Sequence, residues 1–118
     1  FPGMPGVFYG DEKGMTGLSE AESRQPMKWN DKSPLEEIYR TLIGIRKENP
    51  ALTRGRYETV QAKDGLYEYR RTDEGQTVSV AINMGGCDVC YEAGSKIILQ
   101  KGYIGGLLKA KGYCISKR

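Results

Sequence analysis

The sequence predicts a mainly β protein in which a C-terminal antiparallel β-sandwich domain follows a strand, a long loop and a helix. Three observations support this fold class. After Pro50 the hydrophobicity alternates with a period of two, and turn-forming pairs separate the alternating runs. Before Pro50 one segment has helical periodicity and a capping signal. The 118 residues include 16 glycines and 38% apolar residues, which is typical of a turn-rich domain with a modest core.

The first predicted element is a short apolar run, Val7, Phe8 and Tyr9, which ends at Gly10. A continuous apolar run of this kind predicts a strand that is buried on both faces, as in a parallel sheet. Residues 11–32 have neither a helical nor an alternating pattern and predict a long loop. Loops of that length are usually functional or held against a larger structure.

A helix is predicted to begin at Ser33 and Pro34. Ser33 can cap the helix, proline suits the first helical position, and Glu36 completes a capping box of the S-x-x-E type. Asn49-Pro50 ends the helix, because a residue before proline avoids the helical conformation. The apolar positions recur at helical spacing: Leu35, Ile38, Leu42 and Ile45, widened by Tyr39 and Ile43.

Seven short strands are predicted after the helix. Their ranges are 56–62, 66–72, 77–83, 88–91, 97–100, 107–110 and 113–116. Asp64-Gly65 and Glu74-Gly75 have the turn chemistry of antiparallel hairpins. Seven strands with frequent turns predict a sandwich of two sheets. The predicted domains are therefore residues 1–49 and 50–118.

Charge and cysteine content exclude several classes of partner. The 18 basic and 15 acidic residues are interspersed, so no nucleic-acid partner is predicted. No run approaches the ~20 apolar residues of a membrane span, so no membrane partner is predicted. Three cysteines do not form a disulfide framework and favour a reduced, cytoplasmic setting. Cys87, Cys90 and Cys114 without any histidine fall short of the four ligands of a structural zinc site. We therefore predict reduced, half-buried thiols, no metal site and no cofactor.

Three motifs occur in a fixed order along the chain. They are G-x-P-x-V-x-Y-G-D-E-x-G-M-T-G at residues 3–17, R-x-P-M-x-W at residues 24–29 and I-R-K-E-N-P-A-L at residues 45–52. Together they resemble the α-amylase family of glycoside hydrolases, nearest the neopullulanase, cyclomaltodextrinase and maltogenic amylase branch. The resemblance implies that residues 1–49 are the last strand, loop and helix of a truncated (β/α)8 barrel. Residues 50–118 would be the C-terminal β domain.

The resemblance also implies a function for the parent protein. Such an enzyme cleaves α-1,4 links of maltodextrins, cyclodextrins or pullulan with retention, so its partner is an α-glucan oligosaccharide. In the family the catalytic carboxylates lie on earlier barrel strands, and their motifs do not occur here. The chain begins at Phe1 without an initiator methionine, which we interpret as the mark of a C-terminal fragment. We expect the fragment to be structural, catalytically inert and prone to self-association through its barrel-facing surface.

Asp11 and Glu12 could be mistaken for a catalytic pair. Retaining glycosidases place two carboxyl groups ~5–5.5 Å apart across the scissile bond. Adjacent residues of an extended strand face opposite ways, so this pair cannot flank one bond. We expect Asp11 and Glu12 to stabilise the barrel rim through hydrogen bonds and ion pairs. No catalytic residue is predicted within the chain.

Three residues are candidates for substrate contact. Tyr9 ends the predicted strand, where barrel enzymes carry functional residues, although ordinary core packing is an equal alternative. On the loop, the indole of Trp29 can stack on a sugar ring and the guanidinium of Arg24 can bind hydroxyl groups. Simple packing of the loop against the barrel is the alternative for both.

Two other functions remain open at this stage. The β domain could be a stand-alone carbohydrate-binding module that holds glucan through exposed aromatic side chains such as Tyr57, Tyr67 and Tyr69. The chain could also be a complete small interaction protein whose likeness to amylases is ancestral.

Overall fold

A computed structural model describes residues 2–118 of the chain. Phe1, the first residue of the predicted amino-terminal domain, lies outside the described residues. The chain divides into two units, which we call the amino-terminal unit, Gly3–Arg46, and the sheet unit, Lys47–Arg118.

The amino-terminal unit contains short helices within the region predicted as a loop. A 3-10 helix spans Asp11–Lys13, and helix α1 spans Glu20–Ser23. The N-cap of α1 is Ser19, whose hydroxyl accepts a hydrogen bond from the Glu22 backbone N–H at 3.2 Å. Turns of three or four residues fall below the length at which periodicity can be recognised, so the sequence did not predict them.

Residues 7–9, which the sequence predicts as a strand, do not form one within the described chain. The segment has no strand pairing, and Val7, Phe8 and Tyr9 are 50%, 62% and 43% exposed. A strand needs a neighbour for its backbone hydrogen bonds, and no strand forms among residues 2–55 to supply one. The apolar run is present in the sequence, but nothing among the described residues pairs with it as a strand.

The predicted helix is confirmed as α2, Pro34–Glu48. Ser33 caps it, because its hydroxyl accepts a hydrogen bond from the Leu35 N–H at 3.2 Å. The Glu36 carboxylate interacts with the Ser33 backbone, as in a capping box, and it also pairs with Lys13 at 2.6 Å. Of the apolar stripe, Ile45 is buried. Tyr39 is half-buried, and the other members are exposed: Leu35, Ile38, Leu42 and Ile43.

In the sheet unit, the end of α2 is followed by helix α3, Pro50–Arg54. Six strands follow: β1 Arg56–Lys63, β2 Leu66–Asp73, β3 Gln76–Asn83, β4 Val89–Cys90, β5 Lys96–Ile104 and β6 Leu107–Lys117. All pairs are antiparallel. The strand order is β1-β2-β3-β6-β4, and β5 pairs with β6.

Tight turns connect the hairpins as predicted. Asp64 and Gly65 have φ values of 52° and 82°, and Glu74 and Gly75 have φ values of 42° and 83°. Two successive positive φ values define the I′ turn that matches the twist of antiparallel strands. The pairs Lys63 with Leu66 and Asp73 with Gln76 close these two hairpins.

The predicted sandwich of two sheets is wrong, because all six strands belong to one hydrogen-bonded sheet. The predicted strands at 107–110 and 113–116 form the single strand β6, which pairs with β3, β4 and β5. Gly112 stands between these two predicted ranges. It lies within the strand, where an added Cβ would approach the Lys101 carbonyl oxygen to 2.6 Å. Close backbone approach, and not a turn, therefore explains this glycine.

A small core forms on one face of the sheet. Its buried members are Leu66, Ala81, Tyr91, Leu108 and Cys114, with Val89, Ala93 and Tyr103 packed against them. These residues come from all strands except β1 and include the β4–β5 connection. The core therefore joins the hairpin β2–β3 to the strands that follow. No helix within residues 2–118 has the length and apolar character that a membrane span requires.

Candidate functional site

A shallow pocket lies in the amino-terminal unit. It has a volume of about 180 Å³, and its lining includes Tyr9, Asp11, Phe8, Met15, Glu22 and Gln25. The Gln25 amide closes one side, because its Nε2 donates hydrogen bonds to the Glu22 carbonyl at 3.0 Å and the Thr16 carbonyl at 3.3 Å. Two of the predicted site residues, Tyr9 and Asp11, therefore share this pocket.

Tyr9 faces the pocket with a ring that is 43% exposed. Its hydroxyl donates long hydrogen bonds to the carbonyls of Ser23 at 3.5 Å and Gln25 at 3.4 Å. The Tyr9 ring lies 4.7 Å from the ring of Phe8, and its hydroxyl touches the end of α1 and the segment that follows.

Asp11 and Glu12 lie in the 3-10 helix and not in an extended strand. The Asp11 carboxylate accepts a hydrogen bond from the Phe8 N–H at 3.2 Å, so it caps the segment that precedes it. A 3-10 helix has three residues per turn, so neighbouring side chains diverge by roughly 120°. The side chains of Asp11 and Glu12 therefore diverge because of the 3-10 geometry, whereas the prediction assumed an extended strand.

Arg24 and Trp29 do not line the pocket. The Arg24 guanidinium pairs with the Glu20 carboxylate at 2.7 Å, and both side chains are over 70% exposed. The Trp29 side chain is 77% exposed. The structure therefore places both on the surface of the amino-terminal unit, outside the pocket that Tyr9 lines.

Lys13 is the residue that the sequence did not single out. Its ammonium group donates hydrogen bonds to the Asp31 carbonyl at 2.6 Å, the Glu36 carboxylate at 2.6 Å and the Trp29 carbonyl at 3.3 Å. The lysine side chain is only 10% exposed. We call this set of contacts the Lys13 clasp. A single lysine in a loop carries no periodic signal, so only the folded geometry reveals it.

The clasp changes the acidity of Glu36. The hydrogen bond from Lys13, helped by the charges of Lys13 and Arg40, holds the pKa of Glu36 below its ordinary value of 4.5. A carboxylate with a lowered pKa stabilises the folded form above its ordinary pKa, and the contribution is lost as the pH falls through the lowered value. The ion pair between Lys13 and Glu36 is therefore formed at neutral pH and is weakened as the pH falls through the lowered pKa.

The sheet unit carries a tyrosine cluster on β1 and β2. The rings of Tyr57 and Tyr69 stack at 5.4 Å, and those of Tyr67 and Tyr69 lie 6.0 Å apart. Hydrogen bonds with Thr59 and with Tyr67 lower the pKa of Tyr57. All three rings are half-buried. They are therefore not the exposed aromatic side chains that the binding-module hypothesis assumed.

The three thiols differ in exposure. Cys87 and Cys90 are exposed, and Cys114 is buried in the core. Burial raises the pKa of the Cys114 thiol. The prediction of three half-buried thiols is thus wrong, because the C-x-x-C segment lies at the surface beside β4. Within residues 2–118 no three metal-ligating side chains of the Cys, Asp or Glu type come together.

Known proteins resemble this chain in sequence. A cyclomaltodextrinase from Geobacillus thermopakistaniensis is 39% identical over 88 residues, which is 70% of this chain and 15% of that protein. Neopullulanase 2 from Thermoactinomyces vulgaris is 38% identical over 71% of this chain and 15% of its own length. A maltogenic α-amylase from Bacillus acidopullulyticus is 35% identical over 77% of this chain and 17% of its own length. No family model matches the chain.

Solved structures resemble the fold. A debranching enzyme from Nostoc punctiforme, soaked with acarbose, superposes with a TM-score of 0.81 and 27% identity over 98% of this chain and 26% of the enzyme. The trehalulose synthase MutB from Pseudomonas mesoacidophila superposes with a TM-score of 0.60 and 24% identity over 70% of this chain and 17% of its own. The second likeness concerns the fold alone.

By these similarities the chain corresponds to a segment of larger carbohydrate-active enzymes. The β-rich part of the chain matches a C-terminal domain of such enzymes. The chain is homologous to a segment of the α-amylase family, among the cyclomaltodextrinases, neopullulanases and maltogenic amylases. It spans about 15% of the length of the curated relatives named first.

Proposed function

We propose that the chain is the C-terminal part of an α-glucan-hydrolysing enzyme and that its own role there is structural. One observation carries the proposal: the 39% identity to a cyclomaltodextrinase covers 70% of this chain but only 15% of that enzyme. The parent would hydrolyse α-1,4 links of maltodextrin, cyclodextrin or pullulan with retention. The cytoplasmic location predicted from the cysteine content stays part of the proposal.

Exposed apolar side chains support a barrel origin for the amino-terminal unit. Val7 and Phe8, together with the α2 stripe represented by Ile38 and Leu42, are between 41% and 62% exposed. Amphipathic helices normally bury such a stripe, and a continuous apolar run normally lies between parallel strands. Preceding barrel strands would cover both. Residues 7–9 would then become the last barrel strand and α2 the last barrel helix.

The candidate site residues would act within that larger cleft. The exposed ring of Tyr9 and the exposed indole of Trp29 have the apolar faces on which sugar rings stack, and Arg24 has donors for hydroxyl groups. Asp11 would hold the loop entrance through the Phe8 amide. Glu12, on the same 3-10 turn, would belong to the rim. None of these residues forms the pair of facing carboxyl groups that retaining hydrolysis requires.

The purified chain should therefore release no detectable sugar from maltotriose or cyclodextrin. Incubation with each substrate, followed by chromatography of the products, measures this directly. The neopullulanase relative serves as a positive control. Turnover of roughly 1 s⁻¹ or faster, which is within the ordinary range of enzymes, would contradict the structural role.

The same preparation tests the carbohydrate-binding alternative, which would use the tyrosine cluster of β1 and β2. Titration with maltoheptaose should show no saturable binding up to millimolar concentration. Binding that saturates in this range and disappears in Tyr69→Leu would replace the structural role by a binding module on the sheet unit.

A further inference from the structure

We propose that Lys13 is a positioning residue whose ammonium group holds the Trp29 segment against the first turn of α2. It thereby fixes the position of the exposed Trp29 indole. The sugar-contacting purpose of that indole rests on the proposed function, whereas the positioning itself rests on the contacts of Lys13.

The contacts match the bonding capacity of a lysine. An ammonium group has three N–H donors, and Lys13 has three oxygen acceptors within 3.3 Å. Two acceptors are main-chain carbonyls, of Trp29 and Asp31, on either side of one residue. The third is the carboxylate of Glu36 in the first turn of α2. One side chain therefore joins three segments of the amino-terminal unit.

The burial of the Lys13 side chain distinguishes the clasp from an ordinary surface ion pair. Lysine is almost never buried without a partner, yet this side chain is 10% exposed. Surface ion pairs of long, mobile side chains contribute little. Here the cation is shielded, and its charge-assisted bonds of 2.6 Å are short. Removing the ammonium group would leave the Trp29 and Asp31 carbonyls without this anchor.

The Trp29 indole is much less buried than the Lys13 side chain. The Trp29 side chain is 77% exposed, so its position follows from the backbone that carries it. That backbone is fixed at its carbonyl by Lys13 and at its N–H by a bond to the Met27 carbonyl at 3.1 Å. Lys13 thus acts through the main chain of the aromatic residue and not through contact with a ligand.

Trp29 is the single tryptophan of the chain, which makes its fluorescence a local reporter. In the Lys13→Met variant of the full chain, the fast nanosecond component of the tryptophan anisotropy decay should gain about twofold in amplitude, as for a loop released from an anchor. Glu36→Met should act in the same direction. In the double variant, the gain in amplitude should be only slightly larger than in either single variant, because both changes break the same interaction. Lys13→Arg should recover part of the loss, since it keeps the charge and the donors.

Matched controls lie close by in the sequence. Lys28→Met and Glu37→Met make the same chemical changes at exposed positions and should leave the decay unchanged. Far-UV circular dichroism of each variant reports whether the sheet unit is intact. An unchanged decay in Lys13→Met, or an equal gain in Lys28→Met, would overturn the positioning role.

Acid provides a second measurement on the unmodified chain. Protonation of Glu36 below its lowered pKa removes the charge opposite Lys13, so the fast component should rise at that pH. Lys13 and Arg40 are the charged groups that act on Glu36. In Glu36→Met this acid step should be absent, and its persistence would contradict the clasp. No sugar enters either measurement, so a failed glucan assay and a failed clasp are separate results.

Discussion

Leu108→Ala is expected to lower the free energy of unfolding of the sheet unit by about 2–5 kcal/mol. Leu108 is fully buried, and it lies in the core with Leu66, Ala81, Tyr91 and Cys114. Truncation removes apolar burial and leaves a cavity in a unit with few other large buried side chains. Ordinary domains have total stabilities of about 5–15 kcal/mol, so the loss would be a large part of the whole. Urea unfolding followed by circular dichroism measures it.

Leu107→Ala is the matched control for this variant. Leu107 is the preceding residue of β6, points to the opposite side of the sheet by strand alternation, and is 43% exposed. Its truncation should change the free energy of unfolding by only about 0.5 kcal/mol. Equal losses in the two variants would show that the core is not where the structure places it.

The second large effect concerns the association state of the purified chain. The apolar residues Leu35, Ile38, Leu42 and Ile43 on α2 are each more than a third exposed. Exposed apolar patches of this kind drive association when their partner is missing. We therefore expect light scattering at micromolar concentration to give a mass at least about twice the 13.2 kDa of one chain.

Charge placed on that face should reverse the association. Ile38→Lys with Leu42→Lys is expected to give a monomer, because two cations cannot be buried against apolar surface without cost. Glu37→Lys with Thr41→Lys adds two lysines at other exposed positions of the same helix and should leave the mass unchanged. A monomeric starting chain would contradict the proposal for this surface.

Local signals account for the parts of the fold that the sequence predicted. The pairs Asp64-Gly65 and Glu74-Gly75 set the hairpin registers, because a two-residue turn with positive φ values fixes which residues face each other. Helix α2 followed from Ser33, from the apolar spacing and from Pro50. Each of these signals lies within a few residues of the element that it specifies.

The sequence did not predict helix α3, because a proline such as Pro50 is compatible with both the end and the start of a helix. Proline ends a preceding helix, and it is also favoured at the first position of a new one. Here it does both, since α2 ends at Glu48 and α3 begins at Pro50. Periodicity could not separate the two helices, because only Asn49 stands between them.

The remaining differences depend on distant residues. The run at residues 7–9 has the composition of a strand, but a strand requires a partner and none forms among residues 2–55. Asn83 is a second example. Its side chain is fully buried and bonds the carbonyls of Cys87, Leu108 and Lys109 at 2.8–3.1 Å. No local sequence pattern predicts a contact between residues that are 25 positions apart in the chain. The same holds for the contacts of the Lys13 clasp.

The gene sequence upstream of the codon for Phe1 tests the central claim most directly. If these residues complete an α-glucan hydrolase, the reading frame should continue upstream and encode the earlier barrel strands with the catalytic Asp and Glu residues. A complete barrel needs about 250 residues in all, which sets the length to be searched. An in-frame start codon a few residues before Phe1, with no such motifs, would contradict the claim.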